Sequence, residues 1–324
     1  MLPPLSEPLA GLTIAEAVAA VRQRLEAAPL AYGHGCANAH DEAVWLVAVA
    51  AGISVDRIDP ESDAALDPIE CDQINTLLQA RITERVPLAY LAGEAWLAGR
   101  RFYCDPRALV PRSPIAELLE GGLAPWVDDP EAVGSVLDLC CGSASLGILA
   151  AQTFPNAAVT AADISAHALA LAADNLVLHQ LEDRVRLVHG DLWAPLEGQR
   201  FDLILCNPPY VDAEAMAQLP LEWQHEPTLG LAARLRPRLE TPDAQQDCSD
   251  DSTAEPTPDD GLDCIRAILA QAAEHLSDRG VLILEIGHQA RAFETTFPRL
   301  PVVWLPVAAG EQMIALLERS ALRP

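Results

Sequence analysis

The chain of 324 residues is long enough for about two domains. Half of its residues are hydrophobic, which excludes general disorder. Its 47 acidic residues face 21 arginines and no lysine, and the formal net charge of −26 disfavours a protein that coats DNA or RNA through basic patches. An acidic surface instead favours a basic partner.

Cysteine usage and hydropathy indicate a soluble, cytoplasmic protein. No CxxC pair and no Cys/His cluster with zinc spacing is present, so we expect reduced thiols and no metal site. The N-terminal residues lack the pattern of a signal peptide, and no apolar run is long enough to span a membrane. The eight cysteines are Cys36, Cys71, Cys104, Cys140, Cys141, Cys206, Cys248 and Cys264.

Residues 1–93 are predicted to form a helical bundle. A capping-box pattern opens a helix over about 13–28, and a very apolar helix follows over 41–51. An Asp-Pro pair then starts a third helix that runs to about residue 85. The bundle is predicted to end before a segment of different character.

Residues 94–111 are predicted to form a hairpin or an extended connector, because aromatic residues surround a glycine and an Asp-Pro turn. Ser113 is then predicted to cap a helix that has Pro114 at its first position. We place the start of the second domain at residue 112 and its end at residue 324.

This second domain alternates strands and helices, which predicts an α/β fold with a mostly parallel sheet covered on both faces. One segment, at about 239–260, is rich in acidic and polar residues and is predicted to be a flexible loop. The last residues are predicted to form two strands around a glycine turn. The other predicted strands are 136–141, 158–164, 185–189, 201–206 and 281–286, and the predicted helices are about 145–154, 166–180, 262–277 and 289–297.

Three acidic motifs follow successive predicted strands. Asp138 opens a tight strand–helix turn, Asp163 ends the second strand and Asp191 follows the third. Carboxylates along one crevice suit a cationic, ribose-bearing ligand and would repel a pyrophosphate, which favours S-adenosylmethionine over NAD. The structural alternatives are a plain turn at Asp138 and a helix cap at Asp163, although Ser165 can fill that second role.

The fourth motif is Asn207-Pro208-Pro209-Tyr210, directly after the strand 201–206. Proline ends the strand and fixes the backbone, so the turn presents the side-chain oxygen of Asn207 and the carbonyl of Pro208 as acceptors. Two such acceptors can hold both protons of a planar NH2 group, and Tyr210 can stack on that group. This motif predicts a site for a planar amino nitrogen.

These motifs resemble those of class I methyltransferases that modify planar amino nitrogens. Longer segments are similar to the protein N(5)-glutamine methyltransferases, and within them to the branch that acts on large-subunit ribosomal protein L-three. The sibling branch, which acts on release factors, typically reads PRPET where this chain has PRSPI at 111–115. The similarity extends over about 25–235 and 261–318 and is carried by GHGCANAHDEAVWLV, RVPLAYLAGEAWLAG, LVPRSPIAELL, NPPYVDAEAM and LEWQHEPTLGLA.

The resemblance implies a class I S-adenosylmethionine-dependent methyltransferase with a Rossmann-like, seven-stranded sheet and an N-terminal helical domain that recognises the substrate. It implies methylation of a glutamine side-chain amide in that ribosomal protein, and the acidic net charge of the chain favours a basic form of the substrate that RNA does not yet cover. Arg112, Glu222 and His225 match family positions without an assigned catalytic role. The implied cofactor residues are Asp138, Cys140, Cys141, Gly142, Ser143 and Ala144 for the methionine end, Asp163 for the ribose, and Asp191 and Leu192 for the adenine; Asn207, Pro208, Pro209 and Tyr210 hold the glutamine, with Asn207 also beside the cofactor.

One position departs from the family pattern, because Ala144 stands where the family usually has glycine. If this residue has a positive φ, its Cβ costs about 1 kcal/mol and weakens cofactor binding. Three alternatives stay open at this point: a release-factor glutamine methyltransferase, a methyltransferase of nucleic-acid amino groups, and an inactive assembly factor.

Overall fold

The computed structural model describes residues 11–233 and 260–322, and the chain divides into two units. Unit 1 contains the described residues up to Arg112 together with Leu219–Glu226. Unit 2 contains Ser113–Gln218 and the described residues from Pro227 onward. The predicted acidic loop at 239–260 lies, except for Asp260, outside the described residues.

Unit 1 is helical. Its first helix has the predicted capping box, in which Thr13 accepts from the backbone of Glu16 and the Glu16 side chain accepts from Thr13. Its buried residues include Val21, Leu46 and Ile74, which pack into one hydrophobic core. The elements of unit 1 are α1 (Ile14–Ala27), α2 (Ala39–Ala50), α3 (Pro68–Gln79), a π-helical turn (Ala80–Glu84), α4 (Leu88–Ala92), β1 (Glu94–Leu97), β2 (Arg100–Tyr103) and a 3-10 turn (Leu221–His225).

Two details of unit 1 differ from or sharpen the prediction. Helix α2 begins at Ala39 and not at Asp41, because the side chain of Asn38 accepts from the backbone N–H of Asp41 and caps the helix two residues earlier. The segment 94–111 contains the antiparallel hairpin β1–β2, in which Ala95 pairs with Phe102.

Unit 2 contains the α/β part of the chain. The strands β5 (Val185–His189) and β6 (Phe201–Cys206) have the predicted bounds, and the predicted helices exist with ends that shift by one or two residues. No helix in the described part of the chain has the length and apolarity that a bilayer crossing needs. The elements are α5 (Ile115–Glu120), β3 (Ser135–Leu139), α6 (Ser145–Thr153), β4 (Ala158–Asp163), α7 (Ala166–His179), β5 (Val185–His189), β6 (Phe201–Cys206), α8 (Ala213–Gln218), α9 (Thr228–Leu231), α10 (Asp263–His275), β7 (Leu276–Glu285), α11 (Ala290–Thr296), β8 (Val303–Val307) and β9 (Gly310–Glu318).

The strands of unit 2 form a seven-stranded sheet in the order β5-β4-β3-β6-β7-β9-β8. The first five strands in this order are parallel, and β9 pairs antiparallel with both β7 and β8. The predicted terminal hairpin therefore adds its strands to an otherwise parallel sheet. A buried cluster that includes Leu137, Ile204, Ile268 and Phe293 packs against this sheet.

The predicted cap at Ser113 is wrong in its detail. Helix α5 begins at Ile115, and Pro114 precedes it without a side-chain cap. The Ser113 hydroxyl accepts a long bond of 3.3 Å from the N–H of Ile115, but it donates a shorter bond of 2.6 Å to Glu285. A distant carboxylate therefore takes the hydroxyl that local sequence assigned to the helix end.

Candidate active site

The carboxyl ends of four parallel strands lie side by side in unit 2. Leu139 of β3 pairs with Ala162 of β4 and with Cys206 of β6, and Asp163 of β4 pairs with His189 of β5. Each predicted motif lies at or directly after one of these strand ends. The sheet therefore brings all four motifs to one edge, which is where ligands bind in open parallel sheets.

The turn between β3 and α6 is built from left-handed backbone. The φ angles of Cys140, Gly142 and Ala144 are 60°, 55° and 58°. The N–H of Cys141 donates to Ala162 at 3.1 Å, and the N–H of Ala144 donates to Cys141 at 2.8 Å. Ala144 therefore has the positive φ on which the predicted cost of its Cβ depended.

Ser143 completes this turn as a buried residue. Its carbonyl oxygen accepts from the side-chain amide of Asn175 in α7 at 3.3 Å. The contact ties the turn to the helix that follows β4.

Asp163 holds the same turn from the neighbouring strand. One carboxylate oxygen accepts from the N–H of Gly142 at 2.8 Å, and the other accepts from the N–H of Ser165 at 2.8 Å. The Ser165 hydroxyl caps α7, so Asp163 is not needed as that cap. A carboxylate has about four acceptor positions, which leaves capacity for the hydroxyls of a ligand. Burial raises the pKa of Asp163.

Asp138 points into the protein. Its side chain is 1% exposed, and one oxygen accepts from the N–H of Gly147 in α6 at 2.7 Å. A Cβ at Gly147 would lie 3.1 Å from that oxygen, so glycine permits the close approach of helix and strand. Burial raises the pKa of Asp138 to about 7. A direct contact between Asp138 and a ligand stays a prediction.

Asp191 and Leu192 form the turn after β5. Both are partly exposed, and Leu192 has a φ of 44°. The N–H of Gly190 donates to the carbonyl of Asp163 at 3.0 Å, and the carbonyl of Asp191 accepts from Ala194 at 3.1 Å. This turn is therefore tied to the end of β4.

The Asn207–Tyr210 motif follows directly after β6, outside any helix or strand. Pro208 is buried, while Asn207, Pro209 and Tyr210 are partly exposed. Among the residues that the structure describes, none hydrogen-bonds the side-chain amide of Asn207. Beyond the motif, Val211 pairs with Ala232 in an isolated bridge. Strand β6 and the bridge at Val211 therefore hold the chain on both sides of the motif, and the side-chain amide of Asn207 stays available to a ligand.

Sequence reasoning missed the residues that hold Tyr210. Its hydroxyl donates to a carboxylate oxygen of Glu285 at 3.0 Å, and its carbonyl accepts from the side chain of Gln289 at 3.3 Å. Glu285 ends the buried strand β7 and is 4% exposed. The available signal was an acidic residue that ends a buried strand, the feature that identified Asp163.

Residues 219–226 belong to unit 1, although they follow the Asn207–Tyr210 motif by only a few residues. The Glu222 side chain is fully buried. It accepts from Arg85 at 2.7 Å, from Arg81 at 3.1 Å and from the N–H of Ala31 at 3.0 Å. Burial alone would raise the pKa of Glu222, but these donors outweigh it and lower the pKa to about 2.

Glu226 is the second buried carboxylate of this segment. It accepts from Arg112 at 2.7 Å and from the N–H of Val110 at 3.0 Å, and His34 lies 3.4 Å away. These partners outweigh burial and lower the pKa of Glu226 to about 2. A ring nitrogen of His225 lies 2.9 Å from the carbonyl of Glu84. Arg112, Glu222 and His225 thus make contacts that order unit 1.

Comparison with known proteins places these features in a family. Residues 123–222 match the model of the methyltransferase small domain. The chain is 45% identical over 317 residues to the ribosomal protein uL3 glutamine methyltransferase of Burkholderia pseudomallei, with 96% of this chain and 95% of the relative covered. It is 47% identical over 299 residues to the protein of the same name from Bordetella pertussis, with 92% of each covered.

The chain belongs to the ribosomal protein uL3 glutamine methyltransferases. This membership confirms the predicted α/β methyltransferase fold and the predicted methyl-transfer activity. Among solved structures, a methyltransferase from Pyrococcus furiosus is similar at 17% identity and a TM-score of 0.43, with 67% of this chain and 87% of that chain covered.

The site of this uL3 glutamine methyltransferase family member fits S-adenosylmethionine, the methyl donor of the family's reaction. The Asp163 carboxylate, beside the turn 140–144, keeps acceptor positions that would fit the hydroxyls of a ribose. Its carboxylate suits a ligand that carries positive charge. In the ranges 11–233 and 260–322, no group of three or more His, Cys, Asp or Glu side chains is arranged to hold a metal ion.

Proposed function

We propose that this protein transfers a methyl group from S-adenosylmethionine to the side-chain amide nitrogen of a glutamine in ribosomal protein uL3. The observation that carries the proposal is the Asn207–Tyr210 motif at the sheet edge that also holds Asp163 and the turn 140–144. Relatives that align along nearly the whole chain carry uL3 in their names. This similarity favours uL3 over a release factor or a nucleic acid.

The proposed chemistry depends on orientation. When bound, S-adenosylmethionine supplies an electrophilic methyl group. An amide nitrogen is a poor nucleophile because its lone pair is delocalised into the carbonyl, and a side-chain base cannot deprotonate it at neutral pH. The side-chain oxygen of Asn207 and the carbonyl of Pro208 would accept hydrogen bonds from the two N–H groups of the substrate amide and so fix the direction of the nitrogen lone pair. Orientation of this kind supplies about 7–11 kcal/mol.

The same acceptors would stabilise the positive charge that develops on the nitrogen. Tyr210 would stack on the planar amide, and Pro209 would keep the backbone rigid. We propose that Asp163 binds the ribose, that Asp191 and Leu192 contact the adenine, and that the turn from Asp138 to Ala144 holds the methionine end. The methyl carbon would bond to the amide nitrogen as its bond to sulfur breaks, S-adenosylhomocysteine would leave, and the amide proton would pass to water afterwards.

Residues 1–93 are proposed to recognise the substrate, with 94–111 as a connector to the methyltransferase domain over 112–324. The proposed partner is basic uL3 before RNA covers it, in the cytoplasm and without direct nucleic-acid recognition. The charge of −26 supports a basic protein as the partner.

Incubation with isotope-labelled S-adenosylmethionine tests this function on three substrates: free uL3, the assembled large subunit and a release factor. We expect label in free uL3, at one glutamine, and little in the other two. Label in the release factor alone would show that the substrate assignment is wrong. Cofactor binding without label in any substrate would favour the assembly-factor alternative.

A further inference from the structure

Glu285 lies at the candidate site and takes no direct part in the proposed methyl transfer. It ends β7, the strand next to β6, and its carboxylate is buried beside the end of the Asn207–Tyr210 motif. One oxygen accepts from the hydroxyl of Tyr210 at 3.0 Å, and the other accepts from the hydroxyl of Ser113 at 2.6 Å. Hydrogen bonds to a buried carboxylate are stronger than those between neutral groups.

The backbone after Glu285 closes around the same tyrosine. A Cβ at Gly287, whose φ is 58°, would lie 2.5 Å from a ring carbon of Tyr210, so only glycine leaves room for the ring. The Gln289 side chain donates to the Tyr210 carbonyl at 3.3 Å and to Asp212 at 3.1 Å. The ring, the hydroxyl and the backbone of Tyr210 are therefore each held by the segment 285–289.

We propose that Glu285 is a positioning residue that acts through the hydroxyl of Tyr210 and sets the angle of the tyrosine ring against the acceptor glutamine, with Ser113 holding the other carboxylate oxygen. This inference rests on the proposed function, in which the Tyr210 ring stacks on the substrate amide. The ring can rotate about its side-chain bonds unless its far end is held. A hydrogen bond to a carboxylate on a buried strand supplies that restraint, and Gly287 supplies the space.

The test compares three variants of the full-length enzyme. Tyr210→Phe removes only the donor, Glu285→Gln keeps the size of the side chain but removes its charge, and the third variant combines both changes. For each single variant we expect a fall in kcat of about tenfold, because small errors in orientation cost one to two orders of magnitude. The dissociation constant for S-adenosylmethionine should stay within twofold of the wild-type value. The combined variant should be no slower than Tyr210→Phe, because Glu285 acts through the hydroxyl that this change removes.

Asp202 provides a matched control in the same sheet. Its carboxylate accepts from the hydroxyl and the N–H of Ser135 and from the N–H of Gly134, each at 3.0 Å, and it lies at the opposite end of β6. Asp202→Asn should therefore change thermal stability while kcat stays within twofold of wild type. Equal losses of kcat in Asp202→Asn and Glu285→Gln would show that Glu285 has only a structural role, and losses that multiply in the combined variant would overturn its action through Tyr210.

A second readout does not need activity. The protein has four tyrosines, so ring-labelled tyrosine gives a small NMR spectrum in which Tyr210→Phe identifies the Tyr210 signal. We expect Glu285→Gln to shift and average this signal, while Asp202→Asn leaves it unchanged. An unchanged signal in Glu285→Gln would overturn the proposal. Failure of the wild-type enzyme to label uL3 would instead overturn the proposed function, and the NMR result would still stand.

Discussion

Asn207 is the residue on which the proposed chemistry depends most directly. Its amide follows β6 without a described protein partner, beside a proline carbonyl that is fixed by two consecutive prolines. Because the side chain is partly exposed and forms no hydrogen bond within the described part of the chain, its loss should leave the fold intact.

We predict that Asn207→Ala lowers kcat by about 10²–10³-fold, the usual cost of losing one aligned polar group at a reacting centre. Thermal unfolding and calorimetric binding of S-adenosylmethionine should stay near wild type. Asn156→Ala is a matched control, because the side-chain amide of Asn156 donates to the carbonyl of the exposed residue Glu131. Near-normal turnover in Asn207→Ala would contradict the proposed orientation of the substrate amide by Asn207 and Pro208.

Ala144 carries a strained backbone at the cofactor turn. It is fully buried, and its φ of 58° lies in the left-handed region. That conformation costs an L-residue about 1–2 kcal/mol, whereas the buried methyl contributes only about 0.8 kcal/mol. The strain is therefore the larger of the two contributions.

We predict that Ala144→Gly raises the unfolding free energy by up to about 1 kcal/mol and the melting temperature by roughly 1–3 °C. Gly142→Ala should act in the opposite direction, since Gly142 has a φ of 55° in the same turn. Differential scanning calorimetry measures both changes. A lower melting temperature for Ala144→Gly would mean that the methyl contact outweighs the strain.

At the scale of elements, the segment 219–226 is held in unit 1 by two buried carboxylates and three arginines. The pKa values of Glu222 and Glu226 lie at about 2 in the folded protein, below the ordinary value of 4.5. Their contribution to stability is therefore complete above about pH 4.5 and is lost as the pH falls towards 2. The upper bound is on the order of 3 kcal/mol per carboxylate.

We predict that hydrogen-exchange protection of 219–226, corrected for intrinsic rates, declines as the pH falls from 4.5 towards 2. Glu226→Gln should lower protection at pH 6 and flatten this decline, because it removes one of the two titrating groups. The amides of β4 report on unit 2 in the same experiment. Equal declines of protection in the wild-type protein and in Glu226→Gln would show that Glu226 does not contribute to this pH dependence.

At the scale of the whole molecule, the charge is unevenly spread. Nine of the 47 acidic residues lie in 239–263, which leaves −17 on the other 299 residues. Such a body attracts a basic protein over about one Debye length, which is about 8 Å at physiological salt.

We predict that kcat/KM for free uL3 falls as salt rises, because screening weakens this attraction. If the folded units provide the attraction, deletion of residues 241–258 should leave the salt dependence unchanged. Steady-state kinetics from low to high NaCl measure both slopes. Absence of salt dependence in the intact enzyme would contradict electrostatic steering.

Sequence patterns that span only a few residues predicted several local features of this protein. The capping box at Thr13, the bounds of β5 and β6 and the Asn207–Tyr210 motif all depend on neighbours close in the chain, and segment similarity alone pointed to the family. Sequence also placed the motifs at strand ends, because parallel strands bring their carboxyl ends to one edge.

Which distant groups meet depends on the tertiary fold. Ser113 and Glu285 are 172 residues apart, and Glu222 pairs with Arg85 across 137 residues. Local sequence assigned Ser113 to a helix cap and gave no partner for Glu222. A hydrogen bond to a buried carboxylate is worth more than a weak cap, and a buried carboxylate needs cationic or N–H partners wherever the folded chain brings them. Such pairings depend on the path of the whole chain, which no local pattern encodes.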